Sequence, residues 1–138
     1  MKIVRLVGAA ILGVLVGGAV NMGLVLIGSA VIPAPEGVDV TDAESIAAGM
    51  HLFGPQHFIT PFVAHAGGTL AGAVVAHVVT PLFRNQLAYV IGALFFVGGI
   101  AAARMIPAPA WFIAADLVLA YFPMAFLATK IGHRLNHA

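Results

Sequence analysis

Asp116 is the one acid of this 138-residue chain that lies inside a long apolar run. If lipid surrounds that run, a carboxyl group there costs about 2.5–3.5 kcal/mol on insertion scales, so it must face other helices. His65 is the leading partner. It lies about nine residues, or roughly 13 Å, from the end of its own apolar run. Asp116 lies about seven residues, or roughly 10 Å, from the matching end of its run. Asn21 lies about eleven residues, or roughly 16 Å, from the end of a third run. These depths put a carboxyl, an imidazole and an amide in one layer, with Thr69 one turn below His65 and Tyr121 further along the Asp116 run. An Asp–His pair in low dielectric is suited to taking up and releasing protons. The alternative is a satisfied polar cluster that only joins helices. Pro61 and Pro123 add two freed carbonyls, those of His57 and Leu119, and an expected kink at each.

A second candidate site combines His51, His57 and Glu44 near the Gly54-Pro55 break. Imidazole with carboxylate suits a divalent metal such as zinc, copper, iron or nickel. The spacing is unspecific, because Glu44 and His51 are about 10 Å apart along a helix and need a third element to share an ion. Haem is disfavoured: His57, His65 and His77 all fall on one run, whereas a bundle haem takes axial ligands from facing helices. His77 is expected to reach toward the interface from its helix end, and His133 and His137 lie on a polar tail. Enzymatic chemistry has little support. The chain has no Cys, no GxSxG and no HExxH, and Ser29 and Ser45 lack a convincing base.

The elements that position these groups follow from composition. At 62% hydrophobic, 8% charged and mean hydropathy +1.07, the chain has too little charge to solvate a globular surface. Four apolar spans fill most of it, at about 6–32, 56–79, 86–106 and 110–129. The expected fold is an all-α integral membrane four-helix bundle forming a single domain. A loop over 33–55 separates the first two spans and carries Glu36, Asp39, Asp42 and Glu44. Thr41-Asp42-Ala43-Glu44 reads as a capping box that starts a short amphipathic helix over about 42–53, with Ile46, Met50 and Phe53 on one stripe. Pro33, Pro35, Pro81, Pro107 and Pro109 punctuate the spans.

Orientation follows from the basic residues. Lys2, Arg5, Arg84, Lys130 and Arg134 share one side if the spans alternate, and only Arg104 lies on the other. The positive-inside rule puts both termini in the cytoplasm of a plasma or inner membrane and turns the acidic loop and its short helix outward, with Trp111 at the outer interface. The first run is too long for a signal peptide and is expected to be a retained helix. Ile32-Pro33-Ala34-Pro35 and Ile106-Pro107-Ala108-Pro109 form a weak repeat, readable either as a duplicated hairpin or as the recurrence of proline turns.

Without a hydrophobic drive between helices in lipid, small residues must let backbones meet. Ala64, Gly68, Gly72 and Ala76 form an i, i+4 ridge on the second span; Ala9, Gly13 and Gly17 form another on the first and lead to Asn21. The ridges are expected to pack inside the bundle rather than between subunits.

The partners implied are the lipid bilayer and further copies of the chain as a homo-oligomer; no basic run points to nucleic acid. The expected function is binding or transport of a small solute or ion through a polar pocket floored by His65, Asp116 and Asn21, with protonation of the His65–Asp116 pair as the coupling step. Its alternatives are a metal- or haem-binding accessory subunit of a membrane redox complex, and a purely structural membrane partner.

Overall fold

A computed structural model describes residues 1–137, and over them the chain is helical with no strand among the described residues. Helix α1 is Lys2–Val31, α2 Ala43–Gly49, α3 Ile59–Val79, α4 Arg84–Met105, α5 Ala110–Leu119 and α6 Phe122–His137. Two 3₁₀ turns, Met50–Leu52 and Pro55–Phe58, join α2 to α3. Four stretches are long and apolar enough to cross a membrane: Lys2–Val31, Pro55–Val79, Arg84–Met105 and Ala110–His137. Large apolar side chains point away from the bundle along its length, Leu15, Leu26, Val97 and Val118 each more than 60% exposed. Exposed apolar surface on that scale marks a surface for membrane or protein contact.

Helix α3 is the central element, packed against α1, α4 and α6. The small-residue ridges explain how. A Cβ on Gly13 would sit 2.8 Å from the Gly72 carbonyl oxygen, and one on Gly17 would sit 2.7 Å from the Gly68 carbonyl oxygen. Gly68 in turn has the Asn21 β-carbon and the Gly17 carbonyl oxygen 2.8 Å from where its own Cβ would be. The contacts run in antiparallel order, Gly13 with Gly72 and Ala76, Asn21 with Gly68, and Gly28 with Thr60. Ala64, Ala73 and Ala76 are fully buried. The backbones of α1 and α3 thus meet within one chain.

Several boundaries depart from the sequence expectation. Helix α1 starts at Lys2 rather than near Leu6, since nothing in Met1–Arg5 breaks a helix. Pro61 lies in the first turn of α3, directly after the 3₁₀ turn, where a missing N–H is tolerated, so it marks a junction rather than a mid-helix kink. The fourth stretch breaks outright: α5 ends at Leu119, Ala120 and Tyr121 form a bend, and Pro123 sits in the first turn of α6. The residues from Lys130 onward continue α6 to His137 instead of forming a separate tail.

The acidic loop is ordered by its own side chains. Asp42, not Thr41, caps α2: its extended backbone lets the carboxylate accept from the Glu44 and Ser45 amides, both at 3.2 Å. The Thr41 hydroxyl instead donates to Asp39 at 2.7 Å, as does its backbone amide at 2.8 Å. These two bonds hold the Asp39 carboxyl below its ordinary value. The amphipathic helix is also shorter than 42–53, closing at Gly49 before the 3₁₀ turn.

At the opposite end, the 80–83 turn places Phe83 in the left-handed region at φ 49°. Arg84 Nε donates to the Thr80 carbonyl at 3.0 Å across this turn. His77 is fully buried there rather than reaching to an interface. Its Nε2 pairs with Asn85 Oδ1 at 3.0 Å, and its ring meets the His133 edge at 4.9 Å. Gly132 is what allows this, because any Cβ there would collide with the His77 ring.

Gly13→Leu and Gly68→Leu are each expected to destabilise the single chain by about 2 kcal/mol, the cost of overpacking a close contact. Gly18→Leu, where the site of a Cβ has nothing within 4 Å, is expected to change it by less than about 0.5 kcal/mol. Unfolding in detergent, with the oligomeric state followed in parallel, checks both.

Candidate functional site

The bend at Ala120–Tyr121 creates the central polar cluster. It lets the Tyr121 hydroxyl fold back and donate to Asp116 Oδ2 at 2.9 Å, five residues earlier. From α3, His65 Nδ1 lies 2.9 Å from Asp116 Oδ1 and 3.0 Å from Oδ2. Asp116 is 4% exposed and Tyr121 1%. The carboxyl therefore has a partner on each oxygen and almost no surface, as a buried acid requires. Gly99 on α4 leaves room for the Tyr121 ring, which any Cβ there would strike. That ring lies 6.0 Å from the His65 ring and edge-on to Phe96 at 5.8 Å.

With Asp116 ionised, the His65 proton on Nδ1 is the one donated to the carboxylate. Nε2 then carries a lone pair, free to accept. This is the chemical capacity of the site: a positioned base, or a paired cation and anion once Nε2 is protonated.

Thr69 is brought close but serves its own helix, its hydroxyl donating to the His65 carbonyl at 2.8 Å. Such a bond back to the i−4 carbonyl tends to bend a helix at that turn. Asn21 is in the same layer but bonds to neither His65 nor Asp116. Its amide oxygen is buried without a partner.

A cavity of about 280 Å³ lies above the cluster. His65 and Asp116 form its floor. Its walls come from Val25, Ala102, Ile106, Phe112 and Ile113, and its roof from Val40, Ile46, Met50 and Phe53 of the acidic-loop segment. The expected polar pocket is thus an apolar chamber with a polar floor. The reason is the loop: its acids point outward while the stripe of α2 and the following turn face in. Phe58 braces the wall, its ring 4.8 Å from Phe112 and 5.5 Å from Trp111. Ser29 also lines the chamber. Its neighbour Gly28 packs against Thr60, about 7 Å along α3 from His65, so Ser29 is not placed as a nucleophile beside that base.

The expected metal set does not assemble. The His51 Nδ1 pairs with the Ala48 carbonyl at 3.1 Å, and His57 Nδ1 is occupied by the Gly54 backbone at 2.9 Å. Both imidazoles are tied to their own turns, and Glu44 projects from the first turn of α2. Among the described residues, no three His, Asp or Glu side chains come together as a metal-sized group.

The geometry defines a helical bundle with a roofed apolar chamber over a His–Asp–Tyr cluster. Comparison with protein families, with characterised proteins and with solved structures finds nothing that matches this chain.

A double-mutant cycle tests the coupling. His65→Leu alone leaves the buried carboxyl short of a partner and is expected to cost about 3 kcal/mol. Adding Asp116→Leu removes the stranded group, so the double variant is expected to be more stable than His65→Leu. Unfolding midpoints of the wild type, the two single variants and the double variant in one detergent give the sign.

Proposed function

We propose that this chain is a small multi-pass membrane protein that binds, and carries, a small solute through the roofed chamber, with the His65–Asp116 pair as its proton-exchanging floor. The observation that supports this most is the position of the pair. A buried acid needing only structural satisfaction has no reason to lie at the base of a chamber; here the one intramembrane carboxyl and its imidazole line it together. An intramembrane ionisable group facing a cavity is the usual mark of a substrate or ion path.

The chamber's character narrows the solute. Mainly apolar walls over a donor–acceptor floor suit a small, largely apolar molecule with one polar group. A solute that binds there makes its hydrogen bond to His65 Nε2, and proton exchange on that nitrogen couples binding to the proton balance. The break between α5 and α6 adds a freed carbonyl, that of Leu119, which Pro123 cannot engage.

Orientation belongs to the same proposal. Lys2, Arg5, Arg84, Lys130 and Arg134 lie at the helix ends opposite the acidic loop, so the positive-inside rule sets the loop and chamber mouth outside and both termini in the cytoplasm.

The test is a screen of small solutes for thermal stabilisation of the purified protein, followed by uptake into proteoliposomes. Solutes that stabilise the wild type are expected to lose that effect in Asp116→Asn and in Ala103→Trp, which fills the chamber while sparing the cluster. Uptake is expected to fall at least about tenfold in both, in Asp116→Asn through one lost charge-assisted hydrogen bond and in Ala103→Trp through the lost space. Folded variants that bind and carry every solute as the wild type does would reduce the cluster to a structural joint.

A further inference from the structure

The chamber is not the only space that reaches His65. A second cavity, of about 320 Å³, lies between α1 and α4 and shares His65 and Gly99 with the first. Its rim is Val14 and Leu94, which are 39% and 51% exposed. Val14 stands near the middle of α1, so this opening faces sideways at mid-height rather than toward either end. Gly98 borders it, and the position of a Cβ there has nothing within 4 Å. In a bilayer this gap opens onto acyl chains.

Its inner surface is unlike its rim. Asn21 lies there with its amide oxygen buried and unpartnered, which in a water-free setting is costly. His65 presents the ring whose Nδ1 is already committed to Asp116, leaving Nε2. Phe95 and Tyr121 supply aromatic walls. One open nitrogen, His65 Nε2, and an enclosed, unpartnered amide oxygen beside it, among aromatic rings and next to the lipid side, describe a molecule: a flat ring carrying a hydroxyl, with an apolar tail left in the gap. A half-turn of the Asn21 amide brings its enclosed oxygen into the gap, where it accepts from the hydroxyl beside His65.

We propose that the ligand is a membrane-soluble phenol with an alkyl tail, which enters sideways between α1 and α4 and seats its hydroxyl between Asn21 and His65. This rests on the reading of the His65–Asp116 pair as a binding floor, and adds the ligand's class and its route.

The experiment uses the full chain in nanodiscs and radiolabelled 4-hexylphenol, with empty nanodiscs subtracted. Saturable binding at one site per chain is expected. The methyl ether, 4-hexylanisole, is expected to compete at least about tenfold more weakly, since it lacks the donor. Asn21→Leu is expected to weaken the phenol about tenfold and to erase its advantage over the ether. Gly98→Phe, which plugs the gap without touching the floor, is expected to slow association at least about tenfold. Thermal unfolding confirms that both variants are folded, and if Asn21→Leu is not, the Gly98→Phe rate and the ether comparison decide alone.

Absence of saturable binding, equal binding of phenol and ether, or association unchanged in Gly98→Phe overturns the proposal. If in any of these cases other solutes still stabilise the wild type but not Ala103→Trp, the chamber reading stands and only the lateral ligand fails. If no solute does so either, both fail.

Discussion

One carboxyl group sets the terms for this bundle. Asp116 is buried in the middle of an apolar helix, and each of its oxygens is met by a hydrogen-bond partner from a different element. In an apolar surround a stranded carboxyl is worth several kcal/mol of instability, more than most single packing contacts supply. The surrounding architecture provides for it. The α5–α6 chain breaks so that Tyr121 can turn back. Gly99 is bare so that the tyrosine ring can lie against α4. The close α1–α3 contact through Gly13, Gly17, Gly68 and Gly72 then holds α3, and with it His65, at a fixed rotation.

That contact has a second consequence. Because α1 lies so near α3, it stands apart from α4 around Val14 and Leu94, and the gap between them leads to His65. On the other side, the loop folds its apolar stripe inward over the cluster and makes the roofed chamber. The same imidazole therefore borders two spaces of similar size, one beneath the loop and one opening sideways.

Much of this was legible in residue order. Apolar run length and proline positions mark the four long apolar stretches, and counting residues from the run ends puts His65 and Asp116 at one depth, where they are hydrogen-bonded. The i, i+4 spacing of the glycines gives the α1 and α3 faces that meet. Depth alone, however, carries no rotation. Asn21 sits at the right level yet bonds to neither partner, because its side chain faces the α1–α4 gap. The break at Ala120–Tyr121 was hidden because Pro123 signals a local disturbance without saying that the helix stops. His77 shows a related limit. Its depth near a helix end fits an interfacial residue, but Asn85 and the bare Gly132 surface enclose it. The chamber's apolar character was hidden too, since counting charges in the loop does not tell which side of it faces in.

The most direct measurement of the central contact is a solid-state NMR distance between the Asp116 carboxyl carbon and His65 Nδ1, on labelled protein in lipid bilayers. The account predicts a close dipolar contact, in keeping with the 2.9 Å separation of Nδ1 and Oδ1, together with a shift of the Nδ1 resonance in Asp116→Asn. A carboxyl carbon beyond dipolar reach of that nitrogen, or a His65 resonance indifferent to Asp116→Asn, would contradict it.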